Sequence, residues 1–375
     1  MKLTTILRVF VVLLGGGLFL FAAGIYGQNA IPFDSDRWEI KAAESKMIEH
    51  LGRPSLFLKG GQAIVKDSRF TDGVIEFDIT FTGERGFMGA IWRVQDEENF
   101  EEFYLRPHRG GFFDANQYQP VINGCTAWQL YVGDGFAAPV AYQFNRWIPV
   151  RIAVSGANAE VYIDDMETPA LFIGELKRET KEGKVGLNVG NFAPAYYSNF
   201  RFAPMTNLKL KGRANEKKSL PAGTVENWMV SGLIEERSLE GKHLLTDSDK
   251  QKLNWKKLGI ETEGFANLAR VQGIEKDRKT AFARLSIRSD KEQIKKFKFG
   301  FSDRAKVYFN DRLIYGGDNF YMSRDPRFLG TIGLFDELYL PLKKGDNELW
   351  IAVSEEFGGW GVMGFFEDPA GVEIK

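Results

Sequence analysis

The stretch Gly73-Val-Ile-Glu-Phe-Asp-Ile-Thr-Phe81 sets the fold class of this chain. Its apolar side chains occupy every second position, at Ile75, Phe77, Ile79 and Phe81. Polar side chains fill most of the positions between them. Because successive side chains of a strand point to opposite faces, this alternation predicts a half-buried β-strand with one apolar face against a core.

The same alternation recurs in short segments along the chain, and turn residues separate the segments. In the first half, strands are predicted at 87–94, 100–106, 128–132, 147–154, 159–163, 184–189 and 196–202. In the second half, they are predicted at 225–230, 265–271, 280–287, 296–301, 306–309, 337–340 and 347–353. Only residues 289–295 are predicted as a short helix or loop. The chain is therefore predicted to be all-β, with two antiparallel β-sandwich (jelly-roll) domains in tandem.

Length and composition agree with two β-rich domains. The chain has 375 residues, and at roughly 150 residues per domain this length favours two domains. Its 40 Gly and 31 Phe residues are typical of glycine turns between aromatic strands. The formal net charge of −1 leaves no basic excess for phosphates, which argues against a nucleic-acid partner. The predicted divisions are an N-terminal segment (1–27), a first sandwich (28–204), a basic linker (205–221) and a second sandwich (222–375).

The N-terminal segment has the pattern of an export signal. Lys2 and Arg8 precede an uncharged run that extends from Val9 to Gly27. A cleaved signal peptide is predicted, with an uncleaved membrane anchor as the alternative and as the predicted route of any membrane contact. The protein is thus expected in the periplasm or outside the cell. Cys125 is the sole cysteine, which excludes an intramolecular disulfide, and it is predicted to be a plain turn or semi-buried thiol.

Residues of about 55–203 resemble the laminin G-like branch of the concanavalin A-like lectin/glucanase superfamily. The resemblance rests on Phe70-Thr-Asp-Gly-Val-Ile-Glu-Phe77, Gly86-Phe-Met-Gly-Ala-Ile-Trp-Arg93, Asn99-Phe-Glu-Glu-Phe-Tyr-Leu-Arg106 and the later segments 147–152, 183–187 and 197–200. It implies a β-sandwich. The superfamily contains lectins, glycosidases and protein-binding modules, so the resemblance implies little about activity.

Residues of about 222–375 resemble the galactose-binding-like β-sandwich that occurs as an accessory domain in glycoside hydrolases. The resembling segments are Phe299-Gly-Phe-Ser-Asp-Arg-Ala-Lys-Val-Tyr-Phe-Asn-Asp311, Leu340-Pro-Leu-Lys-Lys-Gly-Asp-Asn-Glu-Leu349 and Trp350-Ile-Ala-Val353. Here too the resemblance implies a fold before it implies a ligand.

The richest polar cluster is predicted in the first sandwich. Period-2 geometry places Glu102, Tyr104 and Arg106 on one face of a strand, and an aromatic loop at 107–118 follows. Sugar sites combine aromatic platforms with fixed polar partners. The predicted ligand-binding residues here are Arg93, Tyr104, Arg106, Asn116, Gln117, Tyr118 and Trp128. The alternative is a solvated sheet face with Arg–Glu pairs between strands.

A second sugar platform is predicted on two loops of the second sandwich, at 316–325 and 355–361. Its proposed ligand contacts are Tyr321, Arg324 and Trp360, because the glycines of the second loop would leave Trp360 free. The alternative is a Trp360 that folds back and caps the sandwich.

Catalysis has weaker support in the sequence. Glycoside hydrolysis needs two carboxyl groups. Sandwich glucanases carry theirs as E-x-D-x-x-E, and here Glu76 and Asp78 match only the first half, since Phe81 replaces the second Glu. Glu102, Asp114 and His108 remain as weak catalytic candidates, and a structural Ca²⁺ ion is considered without assigned ligands. The predicted function is an exported carbohydrate-binding protein, with a glycoside hydrolase and an adhesive protein-binding module as alternatives.

Overall fold

The computed structural model describes residues 29–213 and 219–374. The predicted export segment at 1–27 lies outside the described residues, so the cleavage and localisation predictions stay predictions. In the part of the chain that is described, no helix has the length and apolar character needed to cross a membrane.

The first half forms one continuous antiparallel sheet of 11 strands. These strands are β1 (Trp38–His50), β2 (Arg53–Val65), β3 (Gly73–Thr80), β4 (Met88–Asp96), β5 (Asn99–Leu105), β6 (Asn116–Val121), β7 (Ile148–Ser155), β8 (Asn158–Ile163), β9 (Leu171–Ile173), β10 (Lys184–Val189) and β11 (Ala195–Pro204). Their order is β6-β5-β4-β10-β2-β11-β3-β7-β8-β9, with β1 paired to β2. As predicted, Ile75, Phe77 and Ile79 of β3 all point into the core.

Strand β2 lies in the middle of this sheet, between β10 and β11. Its first part pairs with β11 and its last part pairs with β10. Leu58 and Ala63 both face the core although they are five positions apart, an offset that would put them on opposite faces of a regular strand. The strand changes face at Gly60 and Gly61, whose φ angles of 62° and 154° lie in the region that glycine tolerates.

The second half forms two antiparallel sheets that enclose a second apolar core. Its elements are β12 (Asn227–Ser231), α1 (Asp247–Lys250), β13 (Trp255–Gly259), β14 (Ala266–Asn267), β15 (Thr280–Ser289), β16 (Gln293–Phe301), β17 (Asp303–Phe309), β18 (Arg312–Asn319), β19 (Asp336–Leu342), β20 (Gly345–Ser354), β21 (Gly361–Phe366) and β22 (Val372–Ile374). One sheet has the order β13-β12-β15-β20-β17-β18 with β22 on β15, and the other has the order β14-β21-β16-β19. The all-β, antiparallel fold class is therefore confirmed.

Four local predictions differ from the structure. Of the predicted strand at 265–271, only Ala266–Asn267 forms a strand, β14, and Leu268–Arg270 forms a 3-10 helix. Residues 128–132 form turns, not a strand, because their backbone is bonded to other loops, as in Gln129 N–H to the Gly358 carbonyl at 2.7 Å. Residues 116–118 belong to β6 and not to a loop. Residues 289–295 are the turn between β15 and β16 together with the first residues of β16, with no helix.

The two halves make direct polar contacts. Asn123 Nδ2 donates to the Ala269 carbonyl at 2.8 Å, and Gln129 Nε2 donates to the Leu329 carbonyl at 2.9 Å. Phe265 of the second half packs into the first core. The contacts bring loops of the second half over the outer face of β5 and β6. The predicted domain boundaries themselves stay predictions.

Candidate functional site

A cleft of about 690 Å³ lies between the outer face of the first sheet and loops of the second half. Its walls are made by Arg85, Phe87, Glu102, Tyr104, Arg106, His108, Arg109, Asp114, Gln119, Thr126, Trp128, Asn188, Gly190, Phe192, Tyr321, Leu329 and Phe357. This volume is in the usual range for small-molecule sites, which combine aromatic walls with a few fixed polar groups.

A larger open hollow of about 950 Å³ adjoins the cleft and shares Asn188 and Gly190 with it. It lies over β2, β4 and β10, and its lining contains no aromatic side chain. Because sugar rings and other flat ligands are held by aromatic platforms, the smaller cleft is the better candidate site.

Strand β5 and the residue that follows it supply the polar wall of the cleft. Glu102, Tyr104 and Arg106 all line it, whereas Phe103 and Leu105 point to the core. The two-residue period of the sequence therefore places these three side chains together, as expected. All three are buried, in contrast to the solvated face that was the alternative.

Arg106 is the centre of a hydrogen-bond network in this wall. Its Nη1 donates to Asp114 Oδ2 at 2.9 Å, and its Nη2 donates to Gln117 Oε1 at 2.7 Å and to the Tyr104 hydroxyl at 3.2 Å. Gln117 Nε2 in turn donates to the carbonyls of Trp128 and Tyr131 at 2.9 and 2.7 Å. The network thus fixes the loop that carries Trp128, and burial raises the pKa of Tyr104 to about 12.

Glu102 is a buried carboxyl group without an ion-pair partner among the described residues. It accepts hydrogen bonds from Gln119 Nε2 at 2.6 Å and from Asn188 Nδ2. Burial raises the pKa of Glu102, and these two amide donors only partly oppose the shift. A carboxyl group in such surroundings retains its proton to a higher pH than an exposed one.

His108 lines the cleft as a neutral imidazole. Burial lowers the pKa of His108 to about 4, and three neighbouring guanidinium groups, those of Arg106, Arg85 and Arg109, add to the effect. Its ring lies 5.5 Å from that of Phe87. His108 is therefore uncharged at neutral pH.

The aromatic wall is built from both halves of the chain. Trp128 lies 6.2 Å from Tyr321 and 6.2 Å from Phe357, measured between ring centroids, and Tyr321 and Phe357 are 6.0 Å apart. Trp128 and Tyr321 are half-buried and Phe357 is exposed. These rings therefore offer apolar faces at the mouth of the cleft.

Three predicted ligand-binding residues of the first half lie elsewhere. Arg93 is buried and donates to the Thr71 carbonyl and to Asp72. It has a φ of 50° and lies where the register of β4 with β5 shifts, between Trp92 and Asp96, so regular alternation is broken at this position. The Asn116 amide donates to the Ala138 carbonyl and accepts from the Ala138 N–H. Tyr118 points into the core, and its hydroxyl donates to Glu101. Gln117 supports the wall without lining it.

Two predicted residues of the second half are also outside the cleft. Arg324 is ion-paired to Asp336 at 2.8 Å and donates to the Asp318 carbonyl. Trp360 is fully buried in the second core and donates from Nε1 to the Val353 carbonyl at 3.1 Å. The glycines near Trp360 fold it inward, which was the alternative stated for it. Of that platform, only Tyr321 reaches the cleft.

Sequence reasoning missed Arg85, Phe87, Asn188, Phe192 and Phe357. Phe357 precedes Gly358-Gly359, and this was the signal available, since a glycine pair leaves the preceding side chain free at a loop tip. The others depend on which strands and loops become neighbours in the sheet. Among the described residues, no group of three or more His, Cys, Asp and Glu side chains is arranged to hold a metal ion, so the calcium hypothesis gains no support.

Comparison with solved structures gives partial similarities. The chain resembles a carbohydrate-binding module, CBM66 from Bacillus subtilis, with 17% identity over 44% of this chain and 94% of that one, at a TM-score of 0.35. It resembles the GH43 protein BlXynB from Bacillus licheniformis with 13% identity over 48% and 40% of the two chains, at a TM-score of 0.35. A Bacillus subtilis protein of unknown function with a galectin-like fold has 12% identity over 46% and 93%, at a TM-score of 0.35.

No protein-family model and no curated protein matches the chain.

Proposed function

We propose that this protein binds a carbohydrate in the cleft between its two halves. The observation that carries the proposal is the combination in one cleft of the Trp128–Tyr321–Phe357 aromatic wall with the fixed polar wall of β5. Sugars present apolar C–H faces and hydroxyl groups at once, and such a cleft meets both.

The two walls are rigid before any ligand arrives. Gln117 ties β6 to the backbone of the Trp128 loop, and Gln129 ties that loop to the Leu329 carbonyl. Preorganised side chains lose little conformational entropy on binding, so more of the contact energy appears as affinity.

Binding can be measured by a glycan array followed by titration calorimetry. We expect Trp128→Ala and Tyr321→Ala each to weaken binding about tenfold or more, because each removes a ring from the wall. Tyr339→Ala is the matched control, since Tyr339 is 63% exposed and does not line the cleft. If no glycan binds, the proposal fails and the adhesive alternative gains ground. If a glycan binds but is insensitive to both cleft variants, the cleft is not its site.

Hydrolysis of the bound sugar is a second candidate function, favoured by Glu102 alone. A buried carboxyl with a raised pKa is suited to act as a general acid, and Asp114, which is ion-paired to two arginines, is the other carboxyl of the cleft. Release of reducing sugar that Glu102→Gln abolishes, and that Glu337→Gln leaves intact, would establish it. Binding without release would exclude it for that sugar.

A further inference from the structure

The polar wall of the cleft carries more positive than negative charge. Three guanidinium groups line it, those of Arg85, Arg106 and Arg109, whereas Asp114 and Glu102 are the carboxyl groups among its lining residues. Asp114 is shared by Arg106 and Arg109, with N–O distances of 2.9 Å in both ion pairs. One carboxylate therefore neutralises only one of these two arginines.

Arg85 adds a third positive charge and forms no ion pair among the described residues. It is exposed, and its guanidinium carbon lies 5.9 Å from the Phe87 ring centroid and 4.7 Å from that of Phe192. The guanidinium carbon of Arg106 lies 5.7 Å from the same Phe87 centroid. Two cations thus flank one aromatic ring of the cleft.

Glu102 does little to cancel this excess. Amide groups of Gln119 and Asn188 contact it, not cations, and burial favours its neutral form. The same three arginines help to lower the pKa of His108, as expected for a wall with excess positive charge. A cleft wall with an excess of positive charge attracts an anion more strongly than a neutral ligand of equal shape.

We propose that the ligand of the cleft is an acidic saccharide, one whose sugar ring carries a carboxylate or a sulfate group. The ring would lie against the Trp128–Tyr321–Phe357 wall, and its anionic group would lie toward Arg85 and Arg109. Both arginines are accessible, since Arg85 is exposed and the Arg109 side chain is 32% exposed. Guanidinium groups suit this role because their paired N–H donors match the geometry of carboxylate and sulfate oxygens. The inference rests on the carbohydrate-binding function proposed above.

The test compares matched sugars on the purified full chain by titration calorimetry. The probes are an oligogalacturonate, the same oligomer after reduction of its carboxyl groups to alcohols, and a sulfated form of the reduced oligomer. We expect the oligogalacturonate or the sulfated oligomer to bind at least tenfold more tightly than the neutral oligomer. The tighter of the two identifies the anionic group. We also expect that preference to fall as NaCl is raised from about 0.05 to 0.5 M, since salt screens exposed charges.

Variants assign the preference to the cleft. Arg85→Ala is expected to reduce the ratio of acidic to neutral affinity about fivefold, and Arg85→Glu is expected to reduce it further. Arg288→Ala is the control, because Arg288 is an exposed arginine on β15 outside the cleft. It is expected to leave the ratio unchanged.

The possible outcomes separate this inference from the function on which it rests. If neutral and acidic oligomers bind equally and Trp128→Ala weakens both, carbohydrate binding stands and the acidic preference is wrong. If acidic oligomers bind more tightly but Arg85→Ala and Arg288→Ala have the same effect, the preference does not arise in the cleft and the inference is overturned. If none of the oligomers binds, both proposals fail for this class of glycan.

Discussion

At the scale of single residues, burial separates side chains of the same type into different roles. Trp128 and Trp360 are both loop tryptophans of this chain, and both were predicted to contact a sugar. Trp128 is half-buried at the mouth of the cleft, whereas Trp360 is fully buried and its Nε1 is bonded to a backbone carbonyl. Trp128 can therefore contact a ligand, whereas Trp360 packs only within the core.

Trp360→Ala is expected to destabilise the protein by about 3–5 kcal/mol, because it leaves a large cavity in the second core. Urea denaturation followed by circular dichroism measures this loss. Trp360→Phe, which keeps most of the volume, is expected to cost clearly less and to leave sugar affinity unchanged. A Trp360→Ala variant that keeps full stability but loses sugar binding would show that Trp360 is a ligand contact after all.

The face of β5 could be predicted from the sequence, and the residues around it could not. Alternation along a regular strand placed Glu102, Tyr104 and Arg106 together, because a strand has a fixed period of two. The same rule failed at Arg93, because regular alternation is broken at this position. Arg85 and Phe357 reach the cleft through contacts between distant segments, which local periodicity does not encode.

At the scale of elements, the loop at 355–361 of the second half packs closely against the first half. Gly358 has a φ of 102°, its carbonyl accepts from Gln129 N–H, and it lies against the side chains of Gln129 and Trp128. A Cβ atom here would overlap Gln129 Oε1 and would lie 2.9 Å from Trp128 Nε1. The glycine is thus required both by backbone conformation and by close packing.

Gly358→Ala is therefore expected to weaken sugar binding as well as stability, because it displaces Trp128 from the aromatic wall. Gly345→Ala is the matched control. Gly345 has a similar φ of 95°, yet a Cβ atom added to it would have no other atom within 4 Å. It should carry the backbone strain of about 1–3 kcal/mol without the displacement. Equal sugar affinities for the two variants would show that Gly358→Ala does not displace Trp128 from the aromatic wall.

The same loop begins beside a buried pair of acids. Glu355 accepts from Gly359 N–H at 2.9 Å and from Ser302 Oγ at 3.2 Å, and Asp303 Oδ2 accepts from two backbone N–H groups. Asp303 Oδ1 has no hydrogen-bond partner among the described residues. Burial raises the pKa of both carboxyl groups, and their mutual repulsion adds to the effect for Glu355.

Stability is expected to fall as the pH rises through the raised pKa values of this pair. A raised pKa in the folded state means that the folded protein holds its protons more tightly than the unfolded chain. The resulting stabilisation is complete below the ordinary carboxyl pKa of about 4 and is lost at higher pH. Glu355→Gln is expected to flatten the decrease in Tm between about pH 5 and pH 8. An unchanged slope would mean that the pair is not the source.

Among these elements, regular strands could be predicted better than the loops between them. Both φ angles of the Asn310-Asp311 turn between β17 and β18 are positive, at 45° and 72°, as a two-residue hairpin turn of this type requires. Residues 128–132 were wrongly predicted as a strand because they alternate like one. Leu130 and Tyr131 are buried in the first core, whereas Trp128 is half-buried and Val132 is exposed. No neighbouring strand of the described chain pairs with this segment.

At the scale of the whole molecule, a buried ionic network joins the two halves. Glu261 accepts from the Tyr131 hydroxyl at 2.8 Å and from Arg270 Nε at 2.5 Å, and Lys177 Nζ lies 3.9 Å from it. Lys177 also pairs with Glu263 at 2.7 Å, and its side chain is 2% exposed. Because the cleft draws its walls from both halves, this network fixes the distance between them.

We therefore expect the two halves to unfold in one transition, with equal calorimetric and van't Hoff enthalpies. Glu261→Ala removes the carboxylate that pairs with Arg270 and accepts from the buried Tyr131 hydroxyl, which is expected to cost about 1–3 kcal/mol. If the network couples the halves, this variant should split the transition in two and weaken sugar binding, although Glu261 does not line the cleft. Glu373→Ala, on exposed β22, is expected to do neither. Two transitions in the unaltered protein would show that the halves unfold independently and would contradict this coupling.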